Sequence, residues 1–120
     1  MLESPSVPAD FAQVWIQAWN SHDLEQILYF YHEDVRFSSP LLAKMNPDSD
    51  GVIQGIDGLR SYWGRALNLR PELWFRLMDV LYGVSRLVLQ YERFDGQVCV
   101  ESFRFDADGK VIESHAHERG

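Results

Sequence analysis

The last 47 residues contain four strand-like segments joined by short turns, and this pattern constrains the fold more than any other feature. Residues 74–82, 86–94, 98–105 and 111–117 are rich in β-branched and aromatic residues. The pair Asp95-Gly96 separates the second segment from the third, and Asp-Gly is typical of a hairpin turn. We therefore predict an antiparallel meander in which these two segments are neighbours.

Three helical segments precede the strands. The apolar face of the first helix has spacings of three and four residues and consists of Phe11, Val14, Trp15, Ala18 and Trp19. Asp23 and Asp57 are placed to cap the second and third helices. A short strand at 35–38 lies between those helices, and we expect an exposed loop at 44–51. Helices first and strands last predict an α+β fold.

Length and composition restrict the classes of protein. With 120 residues, 46% apolar and 24% charged, the chain suits one globular domain. We predict that residues 1–8 form a flexible N-terminal arm and that residues 9–120 form a single domain. Cys99 is the only cysteine, and no segment suits a signal peptide or a membrane span, so we expect a cytoplasmic protein without membrane partners. The net charge of −7 disfavours nucleic acid as a partner.

The strands have apolar residues on both faces, which bears on assembly. On 98–105, one face holds Cys99, Glu101, Phe103 and Phe105, and the other holds Val98, Val100, Ser102 and Arg104. A sheet with helices on one side and water on the other would have a cleaner polar face. We expect a homodimer through this outer face. The alternative is a solvated sheet that carries a few small apolar residues.

Four motifs in order resemble the nuclear transport factor 2-like superfamily. They are WIQAWNSHDL at 15–24, FYHEDVRF at 30–37, GIDGLRSYW at 55–63 and ESFRFDADGKV at 101–111. Over about residues 9–117 the chain is most similar to the SnoaL-like and ketosteroid isomerase-like branch. The resemblance implies a cone-shaped, curved, mostly antiparallel sheet wrapped around three N-terminal helices, a cystatin-like roll with an internal pocket. It also implies dimerisation through the outer sheet face.

The resemblance suggests site residues one by one. In the steroid isomerases a tyrosine on the first helix and a protonated aspartic acid on the sheet bind the substrate oxyanion, and another aspartate is the base. The matching positions here are Trp15, Glu101 and Ser39. An indole N–H can donate a hydrogen bond, but a serine hydroxyl is not a base near neutral pH. Only Glu101 keeps its chemistry, so isomerisation by the steroid mechanism is not expected.

Glu101 is the predicted catalytic residue. Strand alternation places it on the face of Phe103, and burial among aromatic residues should raise its pKa. The alternative is a salt bridge from Glu101 to Arg93 or Arg104. The predicted ligand-binding residues around it are Trp15, Trp19, Phe37, Ser39, Tyr62, Trp63 and Phe103.

Two classes of function remain open. One is a cofactor-independent isomerase, cyclase or lyase that acts on a small apolar ligand by acid–base chemistry. The other is a non-catalytic dimeric module that binds a ligand or a partner with the same fold. We find no cofactor motif, and we predict no metal site. His115 and His117 share a strand face at chelating spacing, but a polar C-terminal strand explains them more simply.

Overall fold

A computed structural model describes residues 6–119 and confirms the α+β fold. The helices within this range are α1 (Phe11–Ser21), α2 (Leu24–Leu28), α3 (Pro40–Met45) and α4 (Ile56–Leu69). The strands within it are β1 (Tyr31–Ser38), β2 (Val52–Gln54), β3 (Phe75–Gly83), β4 (Arg86–Arg93), β5 (Val98–Phe105) and β6 (Val111–Glu118).

The strands form one curved, open sheet in the order β2-β1-β6-β5-β4-β3. β1 and β6 are parallel, and every other neighbouring pair is antiparallel. The predicted hairpin is confirmed, because β4 and β5 pair antiparallel across the Asp95-Gly96 turn, with Leu89 opposite Glu101. The two central strands β5 and β6 therefore carry the residues that lie over the middle of the core.

The helices α1 and α4 cover the concave face of the sheet. Phe11 and Trp15 on α1 are almost completely buried, as the spacing of the first helix predicts. Leu59 on α4 is buried to the same extent. Asp23 caps α2 as predicted, since its carboxylate accepts hydrogen bonds from the backbone N–H groups of Glu25 and Gln26 at 3.1 and 3.3 Å.

The segment between β1 and α4 differs most from the prediction. Residues 44–51 are not one loop, because α3 begins at Pro40 and a 3₁₀ turn spans Pro47–Ser49. Ser39 accepts a hydrogen bond from the backbone N–H of Leu41, and a proline suits the first turn because that turn needs no N–H donor. Helix α4 is capped by Gly55, with φ at 95°, rather than by Asp57, which lies inside the first turn.

The predicted N-terminal arm lies partly outside the described residues, which begin at Ser6. Val7 is buried in the core, and the Ser6 hydroxyl donates a hydrogen bond of 2.7 Å to Ser85. The described end of the arm therefore packs against the domain. None of the helices in the described range is long and apolar enough to cross a membrane.

Candidate functional site

A cavity of about 190 Å³ lies between the helices and the concave face of the sheet. Eight of the twenty residues that line it are aromatic, and these come from α1, α4, β1, β3, β4 and the residue after β4. The predicted site residues that line it are Trp15, Trp19, Phe37, Ser39, Tyr62, Trp63 and Glu101. The structure therefore brings together Glu101 and six of the seven residues predicted to surround a ligand.

Phe103 is the exception, and its role as a ligand-binding residue stays a prediction. It is 2% exposed and does not line the cavity. Its ring packs edge-on against Phe11 at 4.9 Å and against Trp15 at 5.5 Å between centroids. It faces inward as the alternation predicts, but α1 covers it. Phe103 therefore packs behind Trp15, which lines the cavity, and supports that part of the wall.

Glu101 lies on β5 and is 4% exposed. Its carboxylate accepts a hydrogen bond from the Tyr91 hydroxyl at 3.2 Å and another from the Ser114 hydroxyl at 3.2 Å. Burial raises the pKa of Glu101 to about 7, although the two hydrogen bonds favour the charged form and offset part of that rise. The carboxyl group can therefore gain or lose a proton near neutral pH.

The alternative of a salt bridge to Glu101 is not observed among the described residues. Arg93 pairs with Asp95 at 3.0 Å and with Glu118 at 3.2 Å. Arg104 pairs with Glu113 at 3.1 Å on the outer face of the sheet. Because both arginines are engaged elsewhere, the charge of an ionised Glu101 is balanced by hydroxyl donors rather than by a cation.

The two tryptophans of α1 are four residues apart and present their indole rings to the same cavity. The Trp15 N–H donates a hydrogen bond of 2.9 Å to the Tyr31 hydroxyl. The Trp19 N–H is also buried, but it has no hydrogen-bond partner anywhere in residues 6–119. The same wall thus contains one satisfied and one unsatisfied indole donor.

Ser39 and Tyr62 also line the cavity. The Ser39 hydroxyl already accepts a hydrogen bond from the Leu41 N–H and contacts Tyr62. Burial raises the pKa of Tyr62 above its ordinary value, and the Ser39 contact lowers it by a smaller amount. Tyr62 therefore stays neutral near pH 7, and Ser39 serves as a helix cap rather than as a base.

Sequence reasoning did not assign Tyr91 and Ser114 to the site, although both donate hydrogen bonds to Glu101, whereas it placed Cys99 on the face of Glu101. Tyr91 and Cys99 are opposite each other in the β4–β5 pair, and Tyr91 is diagonal to Glu101. Burial raises the pKa of the Cys99 thiol to about 11, so the thiol is unreactive at neutral pH. The Asp95-Gly96 turn sets the register of this hairpin, so strand alternation counted from the turn could have placed Tyr91 on the inner face opposite Cys99.

Charged residues also line the cavity. Arg93 bridges Asp95 and Glu118, and Arg70 and His117 complete this part of the lining. In the described part of the chain, no three His, Cys, Asp or Glu side chains are grouped closely enough to hold a metal ion. The lining consequently combines aromatic and charged side chains.

His115 faces away from the cavity, on the outer side of the sheet. Its Nδ1 lies 2.6 Å from the Ser38 hydroxyl, and its Nε2 lies 2.8 Å from a Glu113 oxygen. Ser114 and Ala116, which alternate with it, face inward. His115 is thus on the face opposite to Ser114 and Ala116, as the alternation predicts, whereas His117, near the end of β6, belongs to the cavity lining.

The SnoaL-like domain family matches residues 12–114 of the chain. No curated protein matches it. Several solved structures have the same fold. A SnoaL-like protein of unknown function from Burkholderia thailandensis is 34% identical, with a TM-score of 0.88 and 92% of each chain covered.

Two more distant structures show the fold alone. TerC, co-crystallised with polyporic acid, is 18% identical, with a TM-score of 0.74 over 90% of this chain and 88% of TerC. A candidate isomerase from Agrobacterium tumefaciens is also 18% identical, with a TM-score of 0.72 over 91% of this chain and 94% of its own.

Proposed function

The chain belongs to the SnoaL-like domain family of the nuclear transport factor 2-like superfamily, and we propose that it performs acid–base chemistry on a small apolar ligand. Glu101 is the proposed catalytic residue. The observation that carries this proposal is a buried carboxyl group at the wall of an aromatic cavity, with hydroxyl partners and a pKa of about 7. The reaction class is a cofactor-independent isomerisation, cyclisation or elimination.

The environment of Glu101 suits proton transfer. A general acid or base works best when its pKa lies near the working pH, because both protonation states are then available. Tyr91 and Ser114 orient the carboxyl group and partly stabilise its charge. Because Glu101 is almost completely buried, a carboxylate formed there is weakly solvated and correspondingly basic.

The structural relatives agree with a ligand in this cavity. TerC was crystallised with a small organic molecule, and another relative is a candidate isomerase. These likenesses show the fold alone, so the reaction and the ligand of this chain are inferred from Glu101 and its surroundings.

A proton-abstraction probe tests the proposal. A base removes the C3 proton of the probe 5-nitrobenzisoxazole. The electrons of the C3–H bond then form the nitrile as the N–O bond breaks, and a coloured phenolate is released. We expect the wild-type protein to accelerate this elimination, with a rate that rises with pH through about 7 as Glu101 ionises. Glu101→Gln should lower the rate by roughly 100-fold or more, because general bases contribute about 10²–10⁴-fold.

Glu33→Gln is the matched control, since Glu33 is exposed on β1. This variant should keep the wild-type rate. Equal rates for the wild-type protein and Glu101→Gln would overturn the role of Glu101 as a base.

A non-catalytic binding module is the second candidate. Ser39 stands where the steroid isomerases have their catalytic base, and a serine hydroxyl is not a base near neutral pH. The Ser39 hydroxyl also accepts a hydrogen bond in the cap of α3. Binding of the probe to the wild-type protein without any elimination would support this candidate.

We also propose that the protein is a homodimer through the outer sheet face. Val98, Val100 and Ser102 on β5 are partly exposed on this face. Val88 on β4 pairs with Ser102, and Leu81 on β3, which is 59% exposed, pairs with Val88, so both point to the same face. A second copy of the chain offers a self-complementary apolar patch about a twofold axis.

Val100→Glu should convert the dimer to a monomer, because the carboxylate would be buried without a partner at the interface. Sedimentation velocity measures this change. Val84→Glu is the control, since Val84 is 87% exposed in the β3–β4 turn and off the sheet face. A wild-type protein that sediments as a monomer at every practical concentration would contradict the proposed dimer.

A further inference from the structure

Ser38, His115 and Glu113 form a hydrogen-bonded row on the outer face of the sheet, on the side away from the cavity. The Ser38 hydroxyl lies 2.6 Å from Nδ1 of His115, and Nε2 of the same ring lies 2.8 Å from a Glu113 oxygen. The parallel pairing of β1 with β6 builds this row, because it places Ser38 directly opposite His115. A hydroxyl, an imidazole and a carboxylate linked in this order are the arrangement that makes a serine nucleophilic.

The two partners of the His115 ring determine which nitrogen carries the proton. An ionised Glu113 can only accept a hydrogen bond, so Nε2 of the ring donates to it. In the neutral imidazole Nδ1 is then the acceptor, and the Ser38 hydroxyl donates to it. The free electron pair of His115 therefore points at the Ser38 proton, as a general base requires.

Glu113 is held in its charged form. One of its oxygens accepts the hydrogen bond of His115, and the other accepts a hydrogen bond of 3.1 Å from Arg104. These two hydrogen bonds lower the pKa of Glu113 below its ordinary value. The carboxylate thus stays ionised near neutral pH, where it can orient the ring and stabilise the imidazolium that forms when His115 takes a proton. Glu113 acts through His115 and is a positioning residue.

The row is open to solvent. Ser38 is partly exposed, and the side chains of His115 and Glu113 are 31% and 33% exposed. The three residues lie on β1 and β6, whereas the apolar patch of the proposed dimer lies on β3, β4 and β5. A small molecule can therefore approach the row from the outer side of the sheet.

Arg36 adds a positive charge beside the row. It lies two residues before Ser38 on the same face of β1, opposite Glu113, and it is exposed. It takes part in none of the ion pairs found within residues 6–119. A guanidinium group at this position favours the negative charge that develops on a carbonyl oxygen under attack by Ser38.

We propose that Ser38 is the nucleophile of a second reactive centre, separate from the cavity, which accepts the acyl group of small activated esters. The Ser38 oxygen bonds to the ester carbonyl carbon while its proton passes to Nδ1 of His115. The bond between that carbon and the leaving oxygen then breaks, and the leaving group departs as a phenolate or takes the proton from His115. Water, deprotonated by His115, later attacks the acyl-serine, releases the carboxylic acid and returns the proton to Ser38.

The probe p-nitrophenyl acetate tests this inference. The wild-type protein should release p-nitrophenolate and gain an acetyl group on Ser38, which mass spectrometry locates in the tryptic peptide 37–44. Ser38→Ala should remove this acetylation. Ser102→Ala is the matched control and should keep the wild-type rate. Ser102 lies opposite His115 on its other side, but its hydroxyl donates to the His115 backbone carbonyl at 3.4 Å and not to the ring.

Substitutions of the base and of the positioning residue separate chemistry from packing. His115→Gln should slow Ser38 acetylation by roughly 100-fold or more, because a general base contributes about 10²–10⁴-fold. Glu113→Gln should also slow it, because a neutral amide does not stabilise the imidazolium. Glu113→Asp keeps the carboxylate and should recover part of the rate, a rescue that a purely structural role for Glu113 would not produce.

The site of acetylation decides the outcome. Acetyl groups confined to lysines and the N-terminal amine of the wild-type protein, or equal Ser38 acetylation in the wild-type protein and His115→Gln, would overturn the second reactive centre. Because the acetyl group is read at Ser38 itself, this result is independent of the elimination proposed for Glu101. If His115→Gln does not fold, the position of the acetyl group in the wild-type protein decides by itself.

Discussion

Replacing Glu101 with glutamine should remove a loss of folding stability that the wild-type protein undergoes between about pH 4.5 and pH 7. In the unfolded chain Glu101 ionises near its ordinary pKa of 4.5, whereas burial raises the folded-state pKa to about 7. Between these values the unfolded state binds fewer protons than the folded state. The free energy of unfolding therefore falls as pH rises through this window, and it stays at the lower level above it.

The expected size of this effect is large for one side chain. One pKa unit corresponds to about 1.36 kcal/mol, so the difference between 4.5 and about 7 corresponds to a loss of roughly 3 kcal/mol. Glutamine has nearly the same shape and does not ionise, so the variant lacks this term. Below pH 4.5 the Glu101 term is fully present in the wild-type protein, and above pH 7 it is lost.

Urea unfolding of both proteins from pH 4 to pH 8 measures the effect. The difference in unfolding free energy between Glu101→Gln and the wild-type protein should change in favour of the variant by roughly 3 kcal/mol as pH rises. The exposed control Glu33→Gln should give a nearly constant difference. Parallel curves for the wild-type protein and Glu101→Gln would show that the Glu101 carboxyl group is solvated in the folded protein.

Alternation along a strand accounts for the part of the site that could be predicted. The side chains of β5 alternate between buried and half-buried along its whole length, and this alternation places Glu101 on the concave face. The spacing of Trp15 and Trp19 on a helix places both on the side that faces the sheet. These predictions succeed because strand and helix periods depend on local backbone geometry alone.

The parts that could not be predicted depend on contacts between distant segments. Strand alternation predicts that Phe103 faces inward, but whether it meets a cavity or another side chain depends on where α1 crosses the sheet. The partner of the Trp15 N–H is Tyr31, at the start of a strand that begins four residues before the predicted one. The pairing of β1 with β6, 80 residues apart at Tyr31 and Val111, extends that strand. No local signal encodes such a pairing.

The role of Phe103 as a buried support leads to a second large expected effect. Phe103→Ala should lower the free energy of unfolding by about 3–5 kcal/mol, because it removes a ring from a close-packed aromatic cluster and leaves a cavity behind. The cluster surrounds the ring on several sides, with Phe11 at 4.9 Å, Trp15 at 5.5 Å and Phe105 at 6.4 Å between centroids. Urea unfolding of the variant against the wild-type protein measures this loss.

A matched pair of leucine variants separates support of the wall from contact with the ligand. Phe103 and Phe37 are 2% and 3% exposed, but only Phe37 lines the cavity. Both Phe103→Leu and Phe37→Leu should lose stability, because each removes buried aromatic area. At a temperature where both are folded, Phe37→Leu should change the affinity for 5-nitrobenzisoxazole, and Phe103→Leu should leave that affinity close to the wild-type value. If Phe103→Leu weakens binding as much as Phe37→Leu, Phe103 does not only support the wall, and its prediction as a ligand-binding residue holds.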